Sequence, residues 1–177
     1  MFSIILILVL ISFSTADDPC PKFTPPTGPF NLELYLGVWY EMARIETPFE
    51  IGIDCANATY TPKGNGRIGI TNAGKYLKSG MVASVSGEGR QTDQVNVLKV
   101  RLIAGEPEAN YWIVETDFTS YALVCSCTTL PIGTFKGAWL LSRNKTMEKS
   151  RYDYLAAKLP ALGIKIEDLR KTEQLAC

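Results

Sequence analysis

Between residues 36 and 124 the chain runs through short apolar or alternating segments separated by clusters of turn residues. Period-two patterning bounded by Gly, Pro, Asn and Asp marks half-buried strands rather than helices. With one further segment downstream, it predicts eight strands, at 38–45, 56–61, 67–72, 81–86, 95–102, 111–115, 121–127 and 138–143. The stretches between them carry turn chemistry: Pro62-Lys63-Gly64-Asn65-Gly66, Gly87-Glu88-Gly89, Gly105-Glu106-Pro107 and Asp117-Phe118-Thr119-Ser120. Short strands at regular spacing favour an antiparallel up-and-down meander that closes on itself, because closure removes exposed edges.

Two stretches depart from this pattern. Residues 146–159 are rich in helix formers, with Met147, Tyr154, Leu155, Leu159 and Leu162 near helical spacing; Thr146 is placed to cap the start, and Pro160 and Gly163 to mark the stop. A lone helix of this kind is expected to dock its apolar face outside the sheet, and the mixed signs on its polar face favour packing over a membrane-surface role. Upstream of the strands, residues 17–29 hold Pro19, Pro21, Pro25, Pro26 and Pro29, a composition for extended coil because proline cannot donate to a ladder.

Residues 1–16 carry no charge, hold an apolar run at 4–11 and end in Ser14-Thr15-Ala16. The run is shorter than the roughly 18 residues of a membrane span, and small residues stand at the cleavage positions, so the segment reads as a secretory signal peptide cut after Ala16. The protein is then expected to be secreted, with residues 17–177 forming a single domain.

Charge and composition narrow the function. Basic and acidic side chains balance at 18 each, which leaves no basic footprint for nucleic acid. The absence of histidine removes Ser-His and Cys-His dyads and imidazole metal ligands. Five cysteines, Cys20, Cys55, Cys125, Cys127 and Cys177, read in an oxidising compartment as two disulfides and one remaining thiol, with connectivity left open. Cys125-Ser126-Cys127 without a histidine partner makes a poor zinc site, so no metal is expected. Asn57-Ala58-Thr59 and Asn144-Lys145-Thr146 place candidate glycan acceptors at Asn57 and Asn144.

Three separated motifs together resemble the lipocalin family: Gly37-Val38-Trp39-Tyr40-Glu41 on the first strand, Thr116-Asp117-Phe118 with Tyr121 beyond it, and Arg143-Asn144 after the last strand. The passages 111–117 and 121–127 are most similar to the group of apolipoprotein D and the insect Lazarillo proteins, with retinol-binding, bilin-binding and crustacyanin-type lipocalins next. The resemblance implies an all-β fold: an eight-stranded antiparallel barrel with one C-terminal α-helix packed outside. Gly37, Trp39, Thr116, Asp117 and Arg143 are then structural. Closure brings the Arg143 guanidinium onto the Trp39 indole, a stack worth roughly 0.5 to 2 kcal/mol, and Thr116 and Asp117 fix a tight turn at the same closed end.

A closed eight-stranded barrel has room for one small ligand. Strand parity from Trp39 points Glu41 and Ala43 inward; parity backward from Arg143 points Leu141, Trp139 and Gly137 inward, with Trp139 nearer the mouth as the best single contact. Resemblance to retinol-binding-type lipocalins adds Tyr111, Val124, Ser126, Ile70 and Asn72. Alternation places Leu98, Val100 and Leu102 on one face and Lys99 and Arg101 on the other. The loop 47–52 forms the mouth, with Phe49 and Ile51 as apolar gate residues, and Asn72, Ser126, Tyr111 and Glu41 supply the polar groups.

By resemblance to apolipoprotein D, Cys20 pairs with Cys127 and Cys55 with Cys177. Cys125 lies two residues from Cys127 on the same outer face, so either could capture Cys20, and the leftover thiol either sits beneath the helix or joins a second chain. The family's ligands are retinoids, steroids, fatty acids, bilins and carotenoids; the resemblance implies a carrier of one such molecule, with no catalytic cofactor and no membrane span. An isomerase would need a cavity-facing thiolate, and Cys125, the one candidate, is expected to face outward. The remaining alternative is an interaction module, a subunit of a pigment complex or a partner for a cell-surface receptor or lipoprotein particle, of undetermined oligomeric state.

Overall fold

Alternation along the chain becomes a meander in which each strand pairs antiparallel with the next: β1 (Gly37–Ile45), β2 (Ile53–Gly64), β3 (Arg67–Tyr76), β4 (Val82–Gln91), β5 (Val97–Arg101), β6 (Ala109–Thr116), β7 (Tyr121–Leu130) and β8 (Gly133–Ser142). The computed structural model describes residues 20, 30–47, 50–130 and 133–177; the expected signal peptide, the proline-rich lead-in and the gate residue Phe49 lie outside the described residues. All eight expected strands are present, most of them longer than the pattern indicated.

The barrel closes through β1, which pairs with β2 from Gly37 to Tyr40 and with β8 from Tyr40 to Arg44. Beyond Tyr40 the first two strands diverge, and a ninth strand that the pattern did not indicate, β9 (Leu169–Lys171), pairs with the freed edge at Ala43, Arg44 and Ile45. The residues after β9 fill the rest of the gap. The Glu173 amide donates to Asp54, the Cys55 amide donates to the Glu173 carbonyl, and the Gln174 amide group bridges the carbonyls of Glu41 and Ala56.

Two disulfides join distant segments, Cys20–Cys127 across 107 positions and Cys55–Cys177 across 122. In the chain-entropy picture each contributes on the order of 4 to 5 kcal/mol.

Two apolar clusters lie on opposite faces of the sheet. The inner one gathers Leu32, Tyr35, Trp39, Tyr60, Ile68, Ile70, Leu98, Ile113, Ala122, Val124 and Leu141. Its base is plugged by a short helix, α1 (Leu32–Tyr35), capped by the Asn31 side chain, which accepts from the Leu34 amide. The Trp39 indole is fully buried, donates to the Tyr35 carbonyl at 2.8 Å and lies under Arg143, whose guanidinium carbon is 3.7 Å from the ring centre. Arg143 also donates to the carbonyls of Leu34, Tyr35, Val38 and Phe118, tying helix, first strand and last turn together. Gly37 makes room for this cation: its φ is +95° and a Cβ there would sit 3.3 Å from the guanidinium. Asp117 accepts from the amides of Thr119, Ser120 and Tyr121, and the Thr116 hydroxyl donates to the Tyr121 carbonyl, which fixes the turn before β7.

The outer cluster is covered by α2 (Lys149–Ala156) and the 3₁₀ turn Leu159–Leu162, with Leu155, Leu159 and Ile164 packed on Leu123, Cys125 and Leu140. The helix is shorter than the expected 146–159. Thr146 is not its cap, because its carbonyl accepts from Ser142 and the helix begins after Glu148. Gly163 ends the 3₁₀ turn with a left-handed φ of +67°, and Pro160 sits inside that turn rather than beyond it. Gly87-Glu88-Gly89 is likewise not a turn but the interior of β4. Glycine is required at position 87 because a Cβ would come 2.1 Å from the Arg101 carbonyl oxygen, where β5 crosses close to the bent strand.

Removing the indole in Trp39→Ala is expected to cost about 3 to 5 kcal/mol, read as a lower urea midpoint. A second expectation concerns Glu115, which accepts from the Tyr121 and Tyr154 hydroxyls and pairs with Lys158 at 2.8 Å, fastening α2 to β6. Burial acts to raise its pKa, but the bonds from Lys158, Tyr154 and Tyr121 outweigh it and hold the carboxyl below the usual range. A lowered folded pKa stabilises above the unfolded value and is lost as pH falls through the folded one. Amide exchange in α2, corrected for intrinsic rates, is therefore expected to accelerate below about pH 4, and Glu115→Gln to flatten that dependence.

Candidate functional site

Register decides which side chains meet inside the barrel. Leu98 lies opposite Tyr111, Tyr111 opposite Ser126 and Ser126 opposite Gly137, which makes one continuous inward row. A second row runs from Ile113 through Val124 and Trp139 to Arg44. On the other wall Ile70 faces Tyr60, and Asn72 faces Ala58.

These inward residues fall into two levels. Toward the closed end Tyr35, Trp39, Tyr60, Ile68, Ile70, Leu98, Ile113 and Val124 are buried and packed against one another. Toward the mouth, Ala58, Val100, Leu102, Tyr111 and Trp139 pack on that floor but keep accessible surface, as do Asn72 and Ser126. Inward side chains with accessible surface, ringed by a closed sheet, are the walls of a cavity that opens between the loops after β1, β3, β5 and β7. Ile70, Leu98 and Val124 form its floor; Val100, Tyr111, Ser126, Asn72 and Trp139 stand on its sides.

Ala43 does not point into this space. The pairing of β1 with β8 shifts between Glu41 and Ala43, so Met42 is an extra residue and the alternation reverses beyond it. Ala43 turns outward into the cluster beneath α2, and Arg44 turns inward. Glu41 keeps its inward direction but is committed to the wall: it binds Arg44 at 2.6 Å and accepts from the Thr172 hydroxyl. Burial pushes its carboxyl up, with Arg44 and Thr172 opposing. Ile51 is 62% exposed on the outer rim rather than turned into the opening.

Arg44 was not singled out by pattern, because only the bulge brings it inside. Its guanidinium is fully buried and donates to Glu41, Glu46 and the carbonyls of Glu50 and Ile53, which clamps the loop after β1. Glu50 on that loop accepts from the Trp139 indole nitrogen at 3.1 Å and from the Thr47 hydroxyl. The mouth loop and the principal aromatic wall residue are thus linked through one carboxylate. Gly137 lets the indole fold back along β8, since a Cβ there would lie 2.6 Å from the ring.

Two further aromatic groups also escaped the pattern. The Tyr35 and Tyr60 hydroxyls meet that of Tyr111 at 3.2 and 2.7 Å, where the packed floor gives way to the cavity. Tyr60 had a signal, inward parity on a predicted strand; Tyr35 precedes the first strand and had none.

Cys125 faces away from the cavity, buried under α2 and outside both disulfides, and burial pushes its thiol up to about 12. The condition for thiol chemistry on a bound ligand is not met there. Of the two candidate glycan acceptors, Asn144 is exposed just after β8, whereas Asn57 is half-buried within β2.

A family model described as a lipocalin-like domain matches residues 30–174. Apolipoprotein D of Oryctolagus cuniculus is 36% identical over 163 residues, covering 89% of this chain and 84% of the relative. The Lazarillo protein of Schistocerca americana is 28% identical over 184 residues, covering 99% and 86%. Among solved structures, insecticyanin from the tobacco hornworm Manduca sexta superposes with a TM-score of 0.72 at 20% identity, over 87% of this chain and 85% of that one. Lobster apocrustacyanin A1 gives 0.69 at 21% identity, over 81% and 79%.

Gly137→Ala is expected to displace the Trp139 ring and break its bond to Glu50. With 5-fluorotryptophan incorporated, the Trp139 fluorine resonance should move while that of Trp39 stays in place.

Proposed function

The chain belongs to the lipocalin family, whose members carry small hydrophobic molecules, and from that premise we propose that this protein is a secreted carrier of one such ligand held in the mouth half of the barrel. The observation that carries the reading is the two-level interior. The closed half is packed solid, whereas Val100, Leu102, Tyr111 and Trp139 hold apolar surface that no neighbouring side chain covers. Covering that surface with ligand is favourable by about 25 cal/mol per Å², and Asn72, Ser126 and Tyr111 supply the few polar groups that orient a guest. A retinoid, bilin, carotenoid, sterol or fatty acid fits this description. Two disulfides support passage through an oxidising compartment.

A second reading, association with a lipid particle or pigment complex, is favoured by one observation. Three loops at the mouth end expose large apolar side chains: Ile51 after β1, Leu77 and Met81 after β3 beside Lys75 and Lys78, and Ile103 after β5. Carriage and association through the rim are compatible.

Titration with the fluorescent hydrocarbon 1,6-diphenylhexatriene is expected to give saturable binding at one ligand per chain, weakened about tenfold or more by Trp139→Ala, roughly the contribution of one aromatic wall. Organic extracts of the natively secreted protein, read by mass spectrometry, should contain one of the named ligand classes. Absence of saturable binding would overturn the carrier reading.

A further inference from the structure

We infer that the hydroxyls of Tyr35, Tyr60 and Tyr111 form a polar subsite on the cavity floor that donates one hydrogen bond to a carbonyl oxygen of the ligand; the inference rests on the carrier reading and specifies what its ligand must bear.

Proton counting carries the argument. The three oxygens are linked by two hydrogen bonds of good geometry, both made with Tyr111. Three phenols bring three protons, and two bonds use two of them. Among the described residues no other group bonds to these hydroxyls, so one proton is left to donate. Tyr35 and Tyr60 are buried, at 0% and 4% exposure, while Tyr111 keeps accessible surface and lies in the inward row with Ser126. When Tyr35 and Tyr60 both donate to Tyr111, its own proton is the spare one and points to the cavity. Two incoming hydrogen bonds polarise that hydroxyl and strengthen it as a donor. An unmet donor in an apolar floor is costly, and a ligand oxygen seated there removes the cost.

The subsite selects a neutral oxygen over an anion. The surroundings are Trp39, Ile68, Leu98 and Ile113, and burial pushes the Tyr35 and Tyr111 hydroxyls well above their ordinary value, so all three remain neutral. The nearest cation, Arg143, spends its donors on backbone carbonyls at the closed end. A carboxylate on this floor would lose its hydration without gaining a counter-charge. A ketone or aldehyde oxygen accepts the one available proton and brings no charge with it.

The test compares two fluorescent probes of similar bulk, the ketone 6-propionyl-2-(dimethylamino)naphthalene and the hydrocarbon 1,6-diphenylhexatriene. In the wild type, the infrared carbonyl band of the bound ketone is expected below its position in a hydrocarbon solvent, a readout that needs no variant. Tyr111→Phe should return the band to the free position and lower the ratio of ketone to hydrocarbon affinity about tenfold. Tyr60→Phe, which removes one of the polarising bonds, should move the band part of the way. A free carbonyl band in the wild type, or an unchanged ratio in Tyr111→Phe, would make the three phenols a packing feature and overturn the inference while the carrier reading stands. Failure of both probes to bind would overturn the carrier reading and the inference with it.

Discussion

Arg143 lying on the Trp39 indole is the contact on which the rest of the barrel depends. A sheet of eight strands becomes a barrel only if its first and last strands are held together, and these two residues belong to the first strand and the end of the last. The cation brings more than the stack. Its nitrogens reach the carbonyls of α1, β1 and the turn after β6, so three backbone ends that would otherwise be unsatisfied under a plug share one donor group. With one end sealed in this way, the interior acquires a direction: a dry, filled base and a mouth with uncovered walls.

The single extra residue at Met42 then sets the character of that mouth. Without the bulge, β1 would present Ala43 to the interior and Arg44 to the outside. With it, a buried guanidinium faces inward and grips the loop beyond the strand, and that loop supplies the carboxylate that holds Trp139. The apolar helix side gains in turn, because Ala43 is small enough to let Leu155 and Leu159 approach the sheet. One backbone irregularity therefore divides charged from apolar packing on the two faces of the same strand.

Much of this architecture was legible in the sequence. The alternation of apolar and polar positions gave all eight strands, because half-buried antiparallel strands must show it. The inward directions of Tyr111, Val124, Ser126 and Trp139 follow from regular pairing, so parity carried them correctly. What escaped lacked a periodic signal. The ninth strand and α1 span 3 and 4 residues, too short for a period to register. The bulge at Met42 is a property of hydrogen-bond register between distant strands and leaves no local mark. Gly87 and Gly89 looked like a turn because glycine serves both turns and close strand crossings. The helix start shifted from Thr146 because the Thr146 carbonyl is engaged by Ser142, a tertiary contact that outweighs capping preference.

The tail that follows β9 has a temporal consequence. Every strand of the barrel precedes residues 169–177 in the chain, yet those residues occupy the gap between β1 and β2, through Gln174 and the Cys55–Cys177 bond. During synthesis the wall beside the mouth therefore remains slit until its last part emerges, and the cavity can be entered from the side as well as from above. Oxidation of that disulfide converts the slit vessel into one with a single opening, so the redox machinery of the secretory compartment also sets the moment at which the only remaining path to the interior is the mouth.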